Sequence, residues 1–175
     1  PVPANDHIQP FIDAQVPGLW VYYCCAQSSL VPNRFFAMES ARNRIMGVLM
    51  YLYGIKGFLH WGYNFYNSKF SLHPVDPYRV THADYAFPSG DPFLVYPGPD
   101  GAPLSSVRAE VQDDALLDLR ALRLLEQLAG RAFVEELIYA DAEMRPMTFR
   151  DYPRGAGYLL ALRERVAAEI ESRLA

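Results

Sequence analysis

Between Gly57 and Pro99 the sequence GFLHWGYNFYNSKFSLHPVDPYRVTHADYAFPSGDPFLVYPGP places Trp61, Tyr63 and Asn64 at the end of a short apolar run, ahead of a long polar loop. Rings and amides in that setting suit a sugar. A pyranose offers an apolar C–H face for stacking and a rim of hydroxyls for directional hydrogen bonds. If the run is a strand, its two-residue period puts Trp61 and Tyr63 on one face, and Asn64 on the other unless the fraying end turns it inward. Core packing is the alternative for both rings. Tyr23, at the end of an earlier apolar run, and Asn33 and Arg34, in the loop after it, are further candidates. Arg34 is suited to clamping a hydroxyl or a sugar acid, with a surface or helix-capping role as its alternative.

Other chemistry-bearing residues form no recognisable constellation. His7, His60, His73 and His82 lack metal-ligand spacing, and Cys24 and Cys25 are adjacent, which strains a disulfide and matches no zinc pattern. His60 alternates with Trp61, so a hydrogen-bonded core or outer-face histidine is expected over a catalytic base. Asp76 and Asp91 each precede a proline, where a carboxylate commonly organises its own turn. Glycine-rich nucleotide motifs and the serine nucleophile elbow do not occur, so the expectation is no metal and no cofactor.

These residues must be positioned by a folded domain. With 175 residues, of which 51% are hydrophobic, the chain can bury a sizeable core. A net charge of −4 provides no basic footprint for nucleic acid. No run approaches a membrane span, and PVPANDHIQPF lacks the basic and apolar regions of a signal peptide.

Aromatic residues concentrate in the first hundred positions and charges in the remainder. Leu19 to Cys25 reads as a buried strand after the Pro17-Gly18 turn, and Glu39 to Tyr53 as an amphipathic helix stopped by Gly54. Gly57 to Phe65 reads as a second strand. Strand, loop, helix, strand is a βαβ unit with parallel strands. Phe93 to Tyr96 is expected as a small strand inside the Ser68 to Pro103 connection. Ser106 then caps a long helix running to Ala129, with Val107, Val111, Ala115, Leu119, Leu122 and Leu125 on one face and Gly130 as its stop. Phe133 to Tyr139 fits a strand or a helical turn, and Tyr158 to Leu174 a final amphipathic helix.

Two parallel strands that each end in a polar, aromatic loop match the active-site face of a (β/α)8 barrel. The ordered motifs YYCC, PNRFF, YGI, GFLHWGYNFYNS, DPY, AFPSGDPFLVYPGPDG, SSVRAE and DLRALRLLE resemble the C-terminal domain of glycoside hydrolase family 123 and related proteins. The resemblance implies an α/β fold, the C-terminal portion of a TIM-type barrel incomplete in this chain. Residues 1–130 would supply the last βα units and 131–175 a mainly helical tail. It also implies hydrolysis of terminal β-linked 2-acetamido sugars, typically N-acetylgalactosamine, by substrate-assisted retaining catalysis. There the acetamido carbonyl attacks the anomeric carbon, a Glu protonates the leaving oxygen, and a neighbouring Asp orients the acetamido group, a departure from the usual two-carboxylate scheme. Arg108, Glu110 and Asp118 match the family's helix pattern and are expected to form ion pairs tying that helix to the barrel.

The family's Asp-Glu dipeptide is absent, because no Asp is followed directly by Glu in this sequence. The expectation is therefore part of a longer enzyme, contributing the sugar-stacking wall and not the acid. The rival is a non-catalytic module that binds carbohydrate or a partner protein, associating through unpaired barrel edges.

Overall fold

The computed structural model describes residues 1–175. A five-residue helix, α1 (Gln9–Asp13), leads to strand β1 (Trp20–Tyr22). The helix expected over Glu39 to Tyr53 is two pieces, α2 (Ala41–Arg44) and α3 (Met46–Leu52), joined at Ile45. Gly54, at φ +63°, ends α3, and the Ile55 N–H reaches back to the Met50 carbonyl at 2.9 Å, a glycine C-cap that satisfies carbonyls left open at the helix end.

Strand β2 (Gly57–Leu59) pairs parallel to β1, with Trp20 opposite Gly57, Val21 opposite Phe58 and Tyr22 opposite Leu59. Both strands are shorter than their apolar runs. β2 stops because the Gly62 N–H donates to the His60 ring at 2.9 Å, closing a local turn that competes with the ladder. The N-terminal residues add a further pairing that hydropathy did not predict. Ala4 bridges Tyr22 in parallel, and the N–H groups of Trp20 and Tyr22 donate to the Pro1 and Pro3 carbonyls at 3.1 Å.

The small strand expected at Phe93 to Tyr96 is displaced to β3 (Tyr96–Pro97), which pairs antiparallel with β4 (Pro103–Leu104). Ser106 caps α4 (Val107–Ala129): its hydroxyl accepts from the Ala109 N–H and donates to the Leu94 carbonyl. Val107, placed on the apolar face by periodicity, is largely exposed because the first turn of α4 projects past the core. The segment after Gly130 is helical, α5 (Arg131–Tyr139), and α6 (Ala156–Leu174) closes the chain.

One buried cluster joins Val21 and Tyr23 of the β1 region, Ile45, Val48 and Leu49, Leu119, Leu122 and Leu125 of α4, and Val134, Ile138, Leu159 and Val166 of α5 and α6. The helices after position 130 therefore share the core of the sheet. Gly47 sets the approach of α3 to α4, since a Cβ there would lie 2.0 Å from the Ala115 carbonyl oxygen.

Val21 and Phe58 face this core. The opposite face of the sheet carries Val2, Trp20 and Leu59, exposed by 41%, 43% and 45%. Parallel sheets are ordinarily covered on both faces, so this bare apolar face is unusual.

Candidate functional site

The polar site lies where β2 ends. His60 turns toward the core side, its ring edge-on to Tyr23 with centroids 5.3 Å apart. Its Nδ1 receives two donors, the Arg34 guanidinium at 2.5 Å and the Gly62 N–H at 2.9 Å. These partners assign Nδ1 as the acceptor and put the proton on Nε2, which donates to Asp91 Oδ1 at 3.2 Å. His60 and Asp91 are buried, with side chains 2% and 0% exposed. Burial lowers the His60 pKa, and the Arg34 and Arg108 charges reinforce this against the opposing pull of Asp91. The imidazole is therefore neutral near pH 7 and fully engaged, so it positions its neighbours.

Arg34 is itself buried, and its guanidinium also donates to the Gly62 carbonyl at 2.5 Å. Burial brings its pKa down to about 10, which leaves it charged at neutral pH. Asn33 is enclosed, its amide donating to the Cys24 and Gln27 carbonyls and its oxygen accepting from the Arg34 N–H. Tyr23 is also enclosed, its hydroxyl on Asn43 Oδ1 at 2.7 Å and Gln112 Oε1 at 3.2 Å. Burial raises its pKa, keeping the phenol protonated. Tyr23, Asn33 and Arg34 thus spend their polar groups inside the protein.

Trp61, Tyr63 and Asn64 are exposed. Because β2 ends at Leu59, Trp61 and Tyr63 sit in the following turn, where strand alternation no longer sets their directions. The Trp61 indole rests on Phe65 and Phe87, with centroids 5.2 and 5.0 Å away, and leaves 41% of its surface open. The Tyr63 carbonyl accepts from the Leu94 N–H at 2.8 Å, Asn64 bridges Phe93, and the Phe65 N–H donates to the Pro92 carbonyl at 3.0 Å. The aromatic turn is thus laced to residues 92–95. Gly62 permits that closeness, since a Cβ would lie 2.2 Å from the Asp91 carbonyl oxygen.

Sequence reasoning undervalued Asp91 and did not connect His60 with Arg34. The only local signal was Asp91 before Pro92, and their meeting depends on contacts across 26 and 31 positions. Arg108 forms no ion pair of the expected kind: its guanidinium donates to the Gly90 and Phe93 carbonyls and lies over the Phe36 ring at 4.6 Å. Glu110 accepts from Ser105, whereas Asp118 pairs with Arg44. Asp76 organises its turn, accepting from the Tyr78 N–H at 2.9 Å. The Cys24 and Cys25 thiols are free, and burial with the adjacent Cys24 pushes Cys25 up to about 11, so it is not a ready nucleophile.

A helix-layered parallel sheet with an aromatic turn and a buried polar network at its strand end defines a small mixed helix–sheet domain, of the kind in which ligands bind at the ends of the strands. A family model described as glycoside hydrolase 123, catalytic domain, matches residues 1–125, and the chain belongs to that family. No curated protein matches the chain. Membership makes this a glycoside hydrolase-related domain with carbohydrate as its general ligand class. No helix is long and apolar enough to cross a membrane.

Proposed function

We propose that these residues are the C-terminal part of a (β/α)8-barrel glycoside hydrolase acting on terminal β-linked 2-acetamido sugars of the N-acetylgalactosamine type. The observation that carries this reading is the exposed Trp61 indole, braced by Phe65 and Phe87 just past the end of a parallel strand. An indole held this way can stack on a pyranose face without reordering, and Tyr63 and Asn64 add polar reach beside it. Arg34, Asn33 and Tyr23 act from behind by holding the loops that present the wall. The bare sheet face bearing Val2, Trp20 and Leu59 supports the barrel part of the reading, since a barrel interior would cover it.

In the substrate-assisted retaining route, the acetamido oxygen attacks the anomeric carbon as the leaving oxygen takes a proton from a carboxylic acid. Water then opens the bicyclic intermediate, restoring the acetamido group. The Asp-Glu pair for this chemistry is not among these residues, so their share is binding and orientation. That same absence favours, as a second reading, a non-catalytic carbohydrate-binding module.

Titration of the 175-residue chain with methyl β-N-acetylgalactosaminide and methyl β-galactoside, read by tryptophan fluorescence and calorimetry, tests the proposal. Saturable binding of the acetamido sugar in preference to galactoside supports it. Binding of neither sugar removes the wall from the site, and equal binding of both removes the acetamido specificity.

A further inference from the structure

The connection that follows the Trp61 turn bends twice through strained backbone before it reaches Pro88. Phe70 and Ser71 lie at φ +58° and +55°, and Ala83, Asp84 and Tyr85 at +48°, +59° and +64°. None is glycine. L-residues visit this left-handed region singly and at a cost, because Cβ crowds a carbonyl oxygen, so three in succession mark a segment that its surroundings must hold in place. The surroundings do so. Ala83 is 1% exposed, the Ala86 and Phe87 N–H groups donate to the His82 carbonyl at 3.0 and 3.1 Å, and the Gly90 N–H donates to the Thr81 carbonyl at 2.9 Å.

What the strained turn presents is Tyr85. Its ring is 88% exposed and stacks by one face on His82, with centroids 4.3 Å apart and planes 25° from parallel, so the other face is open to solvent. The Tyr85 N–H donates to His82 Nδ1 at 2.8 Å, which holds the imidazole beneath the ring. A side chain that buries so little offsets none of the strain through packing, so the fold alone gives no reason for the arrangement.

Polar groups stand beside the ring. Asp84 Oδ2 lies 3.6 Å from His73 Nε2, which joins the two strained turns, and both side chains are more than half exposed. A ring with one free face and a phenol hydroxyl, next to an open carboxylate and imidazole, gives a pyranose a flat apolar surface and directional partners for its hydroxyls. A lipid surface or an apolar protein patch would instead have to bury the Asp84 carboxylate. Tyr85 also belongs to the Trp61 wall. The Trp61 indole rests on Phe87 at 5.0 Å, and Phe87 follows Tyr85 by two residues, at most about 7 Å of chain.

We propose that Tyr85 is the platform of a second sugar subsite, which takes a pyranose further along the glycan whose terminal residue stacks on Trp61. This rests on the reading of Trp61 as the wall for the terminal sugar. Trp61 then selects the end of the glycan and Tyr85 its length, so the substrate class is an oligosaccharide and not a single sugar on a small aglycone. The strained, pinned backbone holds the platform ready, so binding does not have to order a loop.

The probes are the methyl β-glycosides of N-acetylgalactosamine and of its β-linked dimer and trimer, titrated calorimetrically into the 175-residue chain. The trimer is expected to bind about tenfold more tightly than the monomer, the scale of one aromatic stacking contact. Tyr85→Ala should bring that ratio close to one, and Tyr85→Trp should keep it. Because the ring is 88% exposed, both variants should melt within a few degrees of the wild type. Equal binding of monomer and trimer, or a trimer advantage that survives Tyr85→Ala, would overturn the proposal. So would a dimer in sedimentation that Tyr85→Ala dissolves, which would assign the platform to a second copy of this chain. A length advantage lost in Tyr85→Ala but indifferent to Trp61→Ala would keep this subsite and remove Trp61 from the wall, whereas monomer binding through Trp61 with no length advantage would do the reverse.

Discussion

Arg44 of α2 and Asp118 of α4 form a two-pronged ion pair, Nε to Oδ2 at 2.7 Å and Nη2 to Oδ1 at 3.1 Å, with side chains only 10% and 9% exposed. Arg163 of α6 adds a contact to the same carboxylate at 3.2 Å. Three helices thus meet on one charge. Asp118→Asn leaves Arg44 with Asp114 alone at 3.9 Å and should cost about 3 kcal/mol, because an uncompensated buried charge remains. Arg163→Gln, at a residue 39% exposed, should cost under about 1 kcal/mol. Urea denaturation of the two variants measures the difference, and equal losses would show that Asp118 is solvated and not central.

Trp61→Ala should weaken binding of the acetamido sugar at least about tenfold, in line with the loss of one aromatic stacking contact of about 1.4 kcal/mol. The ring already exposes 41% of its surface, so the melting temperature should move by only a few degrees. Calorimetric titration and thermal melting separate these effects: unchanged affinity takes Trp61 out of the site, and loss of the folded state assigns it to packing.

His60 makes stability depend on pH, in the direction set by its lowered pKa. Burial, with Arg34 and Arg108 nearby, holds its folded pKa below the ordinary histidine value near 6.5, while Asp91 opposes the shift and the Tyr23 phenol stays neutral. Below about pH 6.5 the unfolded chain then binds a proton that the folded chain does not. Stability should fall as pH drops through that range and level off once the folded pKa is passed. His60→Gln should flatten this part of the curve. The difference between wild-type and variant chemical-denaturation curves isolates His60 from the carboxylates, and parallel curves would refute the assignment.

Gly62→Ala would push a methyl group against the Asp91 backbone oxygen. The turn would have to lift from residues 91–92, at a cost of about 2 kcal/mol. Amide exchange should quicken at Gly62 and at Phe65, whose N–H donates to the Pro92 carbonyl. Unchanged exchange at both would mean that the turn accommodates the methyl group in place.

Local chemistry made much of this molecule legible in its sequence. Ser106 and Gly130 bracket a long apolar stripe, and α4 runs between them as expected. Gly54 stops α3, and Asp76 builds its turn. Each depends on residues within a few positions of one another, where propensity and side chain–backbone bonds act directly. The motifs from YYCC to DLRALRLLE carried the family in the same way, through the order of residues along the chain.

What needed the tertiary structure depends on distant partners. Nothing local to PVPAN marks it as a neighbour of β1, because proline-rich segments pair only where another strand's edge is available. His60, Arg34 and Asp91 are each ambiguous alone, and only their convergence assigns a tautomer and a neutral imidazole. The same holds for Trp61. The order of residues sets Trp61 and Tyr63 after an apolar run, but the length of β2 depends on the His60–Gly62 hydrogen bond and on packing against residues 91–95. That packing placed the rings in a braced turn, since burial and contact in space follow from which segments meet, and the linear pattern does not specify that meeting.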